Sequence, residues 1–365
     1  MVAPGSGFTK LSQGTNRSAS SIKTLVVPPR QPSTKERFLM KKLALAAALC
    51  AAFTGSAFAQ SSVTLYGRLN TSIEFQDNDV SDATVMKNNA SRWGLRGTED
   101  LGGGASAFFQ LESGFGSDDG TGTGGFGRDA YVGLKSATLG QIKLGKIALG
   151  ALYGSTIDYI GVFNHDTGTT SEDNIYSLRV GFSNAVEYTS PNFGPVSFAV
   201  TVAAGEGTGP KTYEGVVNYD VDGLHIGAGY SKSEDQFGND TIKGFSAGAA
   251  YTMGPFLLGL AYENSDDVVL GKRNQVTGTV QYTVGASEFH VSVGWADEWD
   301  NLADSDAIQY TLGYNYNLSK RTKVYAFYYA IDNNSFPYGG SGTATLPVLA
   351  DNKFSSIGLG IRHNF

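Results

Sequence analysis

Ser62-Val63-Thr64-Leu65-Tyr66-Gly67-Arg68-Leu69-Asn70-Thr71-Ser72-Ile73-Glu74-Phe75 alternates with a period of two. Val63, Leu65, Leu69, Ile73 and Phe75 fall on one face, and Thr64, Tyr66, Arg68, Asn70, Ser72 and Glu74 on the other. Because successive strand side chains point to opposite faces, this is a strand with one greasy and one wet side. The same alternation returns in Phe289, Val291, Val293 and Trp295 against Glu288, His290, Ser292 and Gly294, and again in Ile308, Tyr310, Leu312, Tyr314 and Tyr316.

Working outward, about sixteen such segments begin near residues 62, 86, 104, 127, 141, 184, 195, 212, 223, 243, 256, 273, 286, 306, 321 and 353. Their connections alternate between tight turns (Asp100 to Gly103, Thr138 to Gly140, Met253 to Pro255) and long polar stretches (Gln76 to Val85, Ser231 to Thr241, Glu263 to Gly271, Asp332 to Asn352). One end with turns and one end with loops is the mark of a closed antiparallel barrel, and a soluble sandwich has no reason to segregate its connections so. Alternation turns Arg68, Arg92, Arg96, Glu112, Arg128 and Lys143 to the wet face. Burying that set dry would cost several kcal/mol per ion, so the wet face must meet water. The greasy face must then meet lipid, with rings such as Tyr310, Tyr316 and Tyr328 supplying the interfacial girdles.

Composition agrees. The 48 glycines among 365 residues, 12% aromatics and only 17% charged residues argue against disorder, coiled coil and a helix-rich enzyme. Mean hydropathy is −0.16, and no apolar run of helix-spanning length occurs beyond the N-terminal region. The first sixty residues stand apart. Met40-Lys41-Lys42, the apolar stretch Leu43 to Phe53 and Ala57-Phe58-Ala59 form the three parts of a secretory signal over 40–59, and residues 1–39 read as a non-native or unstructured extension. A single barrel domain is expected over 60–365. Eight of the 27 bases and one of the 34 acids precede Ser61, leaving 19 against 33 and a formal charge of −14, which repels nucleic acid. The sole cysteine, Cys50, falls inside the signal, so no disulfide is expected.

One stretch, Gly150 to Leu178, lacks sustained alternation and is too long for an ordinary connection. Following the fifth strand, it reads as a loop folded into the lumen. Enzyme chemistry is hard to build: the four histidines (His165, His225, His290, His363) have no metal-ligand spacing, and the glycine clusters lack the Lys-Ser/Thr of a phosphate loop. No metal, cofactor or catalytic residue is expected.

The residues resemble those of a general Gram-negative outer-membrane porin, most like the betaproteobacterial, neisserial type. The resemblance rests on Ser62-Val63-Thr64-Leu65-Tyr66-Gly67-Arg68, on Ser91-Arg92-Trp93-Gly94-Leu95-Arg96-Gly97-Thr98-Glu99-Asp100-Leu101-Gly102, and on Phe109-Gln110-Leu111-Glu112-Ser113-Gly114-Phe115. It continues in Tyr131-Val132-Gly133-Leu134, Asn184 to Pro191 and the terminal Gly360-Ile361-Arg362-His363-Asn364-Phe365. It implies an all-β, 16-stranded transmembrane barrel, trimeric in the outer membrane, with a long third loop narrowing each pore. It also implies a basic wall at the constriction, assigned to Arg68, Arg92, Arg96, Arg128, Lys143 and Arg179, facing Asp158, Asp166 and Glu112. Phe365 is implied as a signal to the outer-membrane assembly machinery, and lipid and lipopolysaccharide as surroundings. The sequence departs from the family at Gly145-Lys146-Ile147, where Gly-Arg-Gln is common, and lacks a Pro-Glu-Phe-Gly-Gly loop motif. The expected function is passive diffusion of small hydrophilic solutes and ions, with weak anion preference. The rival readings are a substrate-specific channel, a plugged structural or adhesive barrel, and an outer-membrane lipase needing a converging Ser, His and Asn or acid.

Overall fold

A computed structural model describes residues 62–122, 124–161, 174–206, 209, 211–334, 346, 347 and 349–365; the expected extension and signal lie outside them. The strands are β1 (Ser62–Asp77), β2 (Asp82–Asn88), β3 (Arg92–Gly102), β4 (Ala105–Gly114), β5 (Ala130–Ser136) and β6 (Gly140–Ile147). A one-turn helix α1 (Ala151–Ser155) precedes β7 (Phe182–Thr189), β8 (Val196–Ala203), β9 (Lys211–Val221), β10 (Leu224–Glu234), β11 (Asp240–Met253) and β12 (Phe256–Asp267). The chain ends with β13 (Gly271–Val284), β14 (Ser287–Ala296), β15 (Ala307–Asn317), β16 (Thr322–Asn333) and β17 (Lys353–Asn364).

From β3 to β17 each strand pairs antiparallel with the next, and β1 pairs with β17 from Arg68↔Asn364 to Asp77↔Ser355, closing the sheet. Seventeen segments make sixteen crossings, because β2 and β3 share one flank of β1: β2 pairs with Thr71–Asp77 and β3 with Ser62–Arg68. Between them Ala90 takes φ 53°. Ser91 keeps the break bonded to β1, its Oγ accepting from the Asn70 amide at 3.0 Å. Sixteen is even, as antiparallel closure requires.

The two faces separate as the alternation expects. Val63, Leu65, Leu69, Ile73 and Phe75 of β1 are exposed, whereas Asn70, Ser72 and Glu74 are buried. Tyr310, Tyr316 and Tyr328 also point outward. A further row of rings crosses four strands through directly paired residues: Phe256 to Tyr282 at 4.9 Å between centroids, Tyr282 to Phe289 at 6.5 Å, and Phe289 to Tyr314 at 5.1 Å. An outer surface so apolar has no counterpart on a water-soluble monomer. Among the described residues no helix is long and apolar enough to cross a membrane.

Two expected long loops are shorter than read. The strand ladder runs on to Glu234 and restarts at Asp240, and likewise runs to Asp267 and restarts at Gly271. The 14-residue β11 reaches ~36 Å along the axis when tilted ~40°, against an apolar band ~25 Å tall. Beyond that band the side-chain alternation stops while the backbone pairing continues, held by Lys232 to Asp240 at 2.8 Å and Lys243 to Asp240 at 3.2 Å. At the tip Asn239 donates to Asp235 from both side chain and backbone, at 2.9 Å each, which holds that carboxyl below the usual range.

Aromatic rings lie over glycines of adjoining strands. A Cβ at Gly360 would come within 2.1 Å of the Tyr325 ring, whose hydroxyl donates to Asn70 Oδ1 at 2.8 Å. At the seam, Gly67 and Phe365 exchange both backbone hydrogen bonds, at 3.1 and 3.0 Å, and the Phe365 ring covers the missing side chain of Gly67. Gly360→Val should therefore displace Tyr325 and cost ~1–3 kcal/mol. The expected result is a lower temperature for the shift between folded and unfolded mobility in detergent gels, with Gly278→Val on β13, where an added Cβ meets open space, as the control.

Candidate functional site

The polar face carries an unequal distribution of charge. Arg68 on β1, Arg92 and Arg96 on β3, Arg128 just before β5 and Lys143 on β6 stand on neighbouring strands, since Arg68 pairs with Arg92 and β3 to β6 follow in order. Their contacts interlock. Arg128 Nε donates to Glu112 Oε1 at 2.5 Å, Arg92 Nε lies 3.9 Å from the same oxygen, and the Tyr66 hydroxyl donates to Glu112 Oε2 at 2.9 Å. The Arg96 guanidinium sits 4.9 Å over the Tyr66 ring, and Lys143, 2.5 Å from Glu187, sits 5.2 Å over Tyr131. Gln110 donates to Asp129 at 2.8 Å, and the Ala148 amide donates to the other oxygen of that carboxylate at 2.8 Å.

Glu112, expected from the sequence on the acidic side, stands between Arg92 and Arg128. Its position on β4, opposite Gly94, sets it among Arg92, Arg128 and Tyr66. A carboxylate there fixes two guanidinium groups in one geometry, as charge-assisted hydrogen bonds do. Arg179 is exposed in the stretch before β7, apart from that network, and lines a small cavity with Glu206 and Thr212. Asp158 lies just past α1, half-buried. Asp166 lies outside the described residues.

Two bases escaped the sequence reading. Lys323 on β16 pairs with Arg362 on β17, which pairs with Asn70 on β1, so both extend the row beside Arg68. The signal was present: Ile357, Leu359 and Ile361 face outward, so Arg362 must face the other way.

The stretch around α1 contacts this polar face across the barrel from the basic row. The Leu152 amide donates to Glu214 of β9 at 2.9 Å, Ser246 of β11 to Thr156 at 2.8 Å, and Thr279 of β13 to the Ile160 carbonyl at 2.8 Å. Further along, the Ser177 amide donates to Glu263 of β12 at 3.1 Å and Asn174 to the Tyr329 hydroxyl of β16 at 2.7 Å. Arg273 of β13 donates to the Ile175 carbonyl and, at 2.6 Å, to Ser177, with its guanidinium 4.7 Å over Trp299. Leu152, Ile157, Ile160, Ile175 and Leu178 are buried by this docking. Gly227 permits it, since a Cβ there would meet the Ser155 carbonyl at 2.1 Å. Among the described residues no group of acids, histidines or cysteines could hold a metal ion.

A family model described as Gram-negative porin matches residues 44–335. Outer membrane porin protein 32 of Delftia acidovorans is 32% identical, covering 89% of this chain and all of the relative. An outer membrane porin protein of Bordetella pertussis is 28% identical with the same coverage. Among solved structures, an anion-selective porin from Comamonas acidovorans superposes with a TM-score of 0.67 at 26% identity, covering 84% of this chain and all of that one.

The Glu112 geometry has a direct consequence. Glu112→Gln removes one negative charge from the basic row and frees Arg92 and Arg128 from their shared partner. Reversal potentials across a salt gradient should move towards greater anion preference, with the folded fraction unchanged.

Proposed function

This chain belongs to the Gram-negative porin family, and from that premise we propose how its own residues govern what passes. It is an outer-membrane protein whose barrel encloses a water-filled channel for passive diffusion of small hydrophilic solutes. The finer reading begins with the stretch from Gly150 to Leu178, which we take as folded into the lumen to form the narrowest zone. One side of that zone is the row Arg68, Arg92, Arg96, Arg128, Lys143, continued by Lys323 and Arg362. The other side carries Asp158 on the loop and Glu214 and Glu263 beneath it.

The single observation behind this reading is the clustering of bases from β1, β3, β6, β16 and β17, with Arg128 just before β5, on neighbouring strands, only partly offset by Glu112, Glu187 and Asp129. Charges of opposite sign across a narrow aqueous passage set up a transverse field. That field orients water, favours polar over apolar solutes and concentrates the counter-ion of the stronger wall. Here the stronger wall is basic, so the channel prefers anions. The acidic surface of the remaining chain moderates the preference at the mouth. No energy source enters, because each solute runs down its own gradient.

Assembly completes the reading. The chain is exported with residues 40–59 as its signal, and the assembly machinery reads its last strand through Phe365. It then sits among lipid and lipopolysaccharide as a homotrimer with one pore per protomer. It is a channel without catalytic machinery or cofactor.

Purified protein in planar bilayers should give conductance steps in threes and a reversal potential on the anion side. Arg92→Glu changes the local charge by two units. At a few ångströms in water this is worth about 1–2 kcal/mol to a passing ion before screening. The anion-to-cation permeability ratio should therefore drop several-fold. An unchanged ratio would overturn the role given to the basic wall.

A further inference from the structure

Phe108 interrupts the wet face of β4. Ser106, Gln110 and Glu112 on the same face are polar, whereas the Phe108 ring lies over Gly133 of β5, where an added Cβ would come within 2.4 Å of it. The Tyr131 ring meets it edge to face, at 6.2 Å between centroids and 77° between planes. The Tyr131 hydroxyl donates to Gln110 Oε1 at 3.2 Å, and Gln110 is itself oriented by its bond to Asp129. Two rings are thus held in set positions against the passage, which diffusion of small hydrophilic solutes does not require.

Both rings line a cavity of about 480 Å³ near the turn end of the barrel, and Arg96 and Lys135 line it too. That volume is ordinary for a small-molecule site. The charges differ from those of the neighbouring network, where Arg92, Arg128 and Lys143 each face a carboxylate. Among the described residues, Arg96 has the face of Tyr66 beside it but no carboxylate, and the Lys135 ammonium makes no hydrogen bond or ion pair. The surrounding acids already have partners: Glu112 receives Arg128 and Tyr66, Asp129 receives Gln110 and the Ala148 amide, and Asp100 receives the Gly102 amide. Two cations are therefore left to face a solute.

Register gives their spacing. Arg96, Gln110 and Tyr131 stand level on β3, β4 and β5, while Lys135 stands level with Ser106. Lys135 is thus two strands across from Arg96 and four residues further along the wall, ~13 Å at the usual rise. Phe108 occupies the level between them. The order along the wall is base, ring, base.

We propose that this cavity is a subsite for a flat aromatic dicarboxylate whose two carboxylates stand at opposite ends of the ring. Arg96 takes one carboxylate through its planar fork, and Lys135 takes the other as a point charge. The solute's ring rests against Phe108 and Tyr131. Chloride gains from the bases alone and an uncharged aromatic from the rings alone, so a solute matching both is held longest. This names a solute class for the passage, and it rests on the reading of the lumen as an open channel.

Chloride current through purified protein in planar bilayers, titrated with terephthalate, tests this. Terephthalate should reduce the current in a saturating manner. Phthalate, with the same charge but adjacent carboxylates, and fumarate, a dianion without a ring, should each need a several-fold higher concentration for half the effect. Arg96→Gln, Lys135→Gln and Phe108→Leu should each weaken terephthalate several-fold, whereas Lys320→Gln, in the exposed turn before β16, should keep the parent's sensitivity. The comparison of the three anions needs no variant and decides even if a substituted barrel fails to fold. Equal potency of the three, or a Lys135→Gln channel as sensitive as the parent, overturns the subsite and leaves the channel standing. A protein that carries no current in any salt overturns the channel reading on which the subsite rests.

Discussion

A chain crossing lipid must pair every backbone N–H and C=O within itself, because hydrocarbon offers no partner. A strand cannot do this alone, so the sheet has to close, and here closure falls on β1. One flank of β1 carries β17 along ten residue pairs, and the other is divided between β2 and β3. Once the ladder is closed, its pleat leaves two faces, and the chain's only freedom is which residues go on each. Every other property of the molecule is a consequence of that assignment.

The assignment explains how ionisable groups can be so numerous inside a barrel without breaking it. Arg92, Arg128 and Glu112 are hidden from the outside yet linked by charge-assisted contacts, and water in the passage removes the penalty a dry core would impose. Opposite them, the docked stretch brings Leu152, Ile157, Ile160 and Ile175 onto what is otherwise the polar face. Apolar packing and a few anchors, Glu214, Glu263 and Arg273 among them, hold it there.

Much of this was legible in the amino-acid order, for a physical reason. Period-two alternation is a direct imprint of lipid on one side and water on the other, so β1, β14 and β15 could be read residue by residue. Even the parity of Arg92 and Lys143 followed. Three things did not follow. The divided flank of β1 depends on the backbone at Ala90, which no side-chain pattern records. The partnership of Glu112 with Arg92 and Arg128 depends on register, which links residues distant in sequence. The anchoring of α1 depends on Gly227 leaving room, and a glycine in a glycine-rich barrel gives no hint of which approach it serves. Phe365 shows the same limit, since alternation explained its outward face but not its ring over Gly67.

The overhanging hairpins at β10–β11 and β12–β13 divide the molecule into two regimes. Within lipid, a broken rung has no solvent to receive it, so fraying is forbidden and substitutions are constrained on both faces. Above the lipid, Lys232, Asp240 and Lys243 hold the rungs through exposed ion pairs that water can replace. Those tips can be lengthened or recoded while the sealed cylinder below keeps its shape, so change at the rim carries little risk to the barrel.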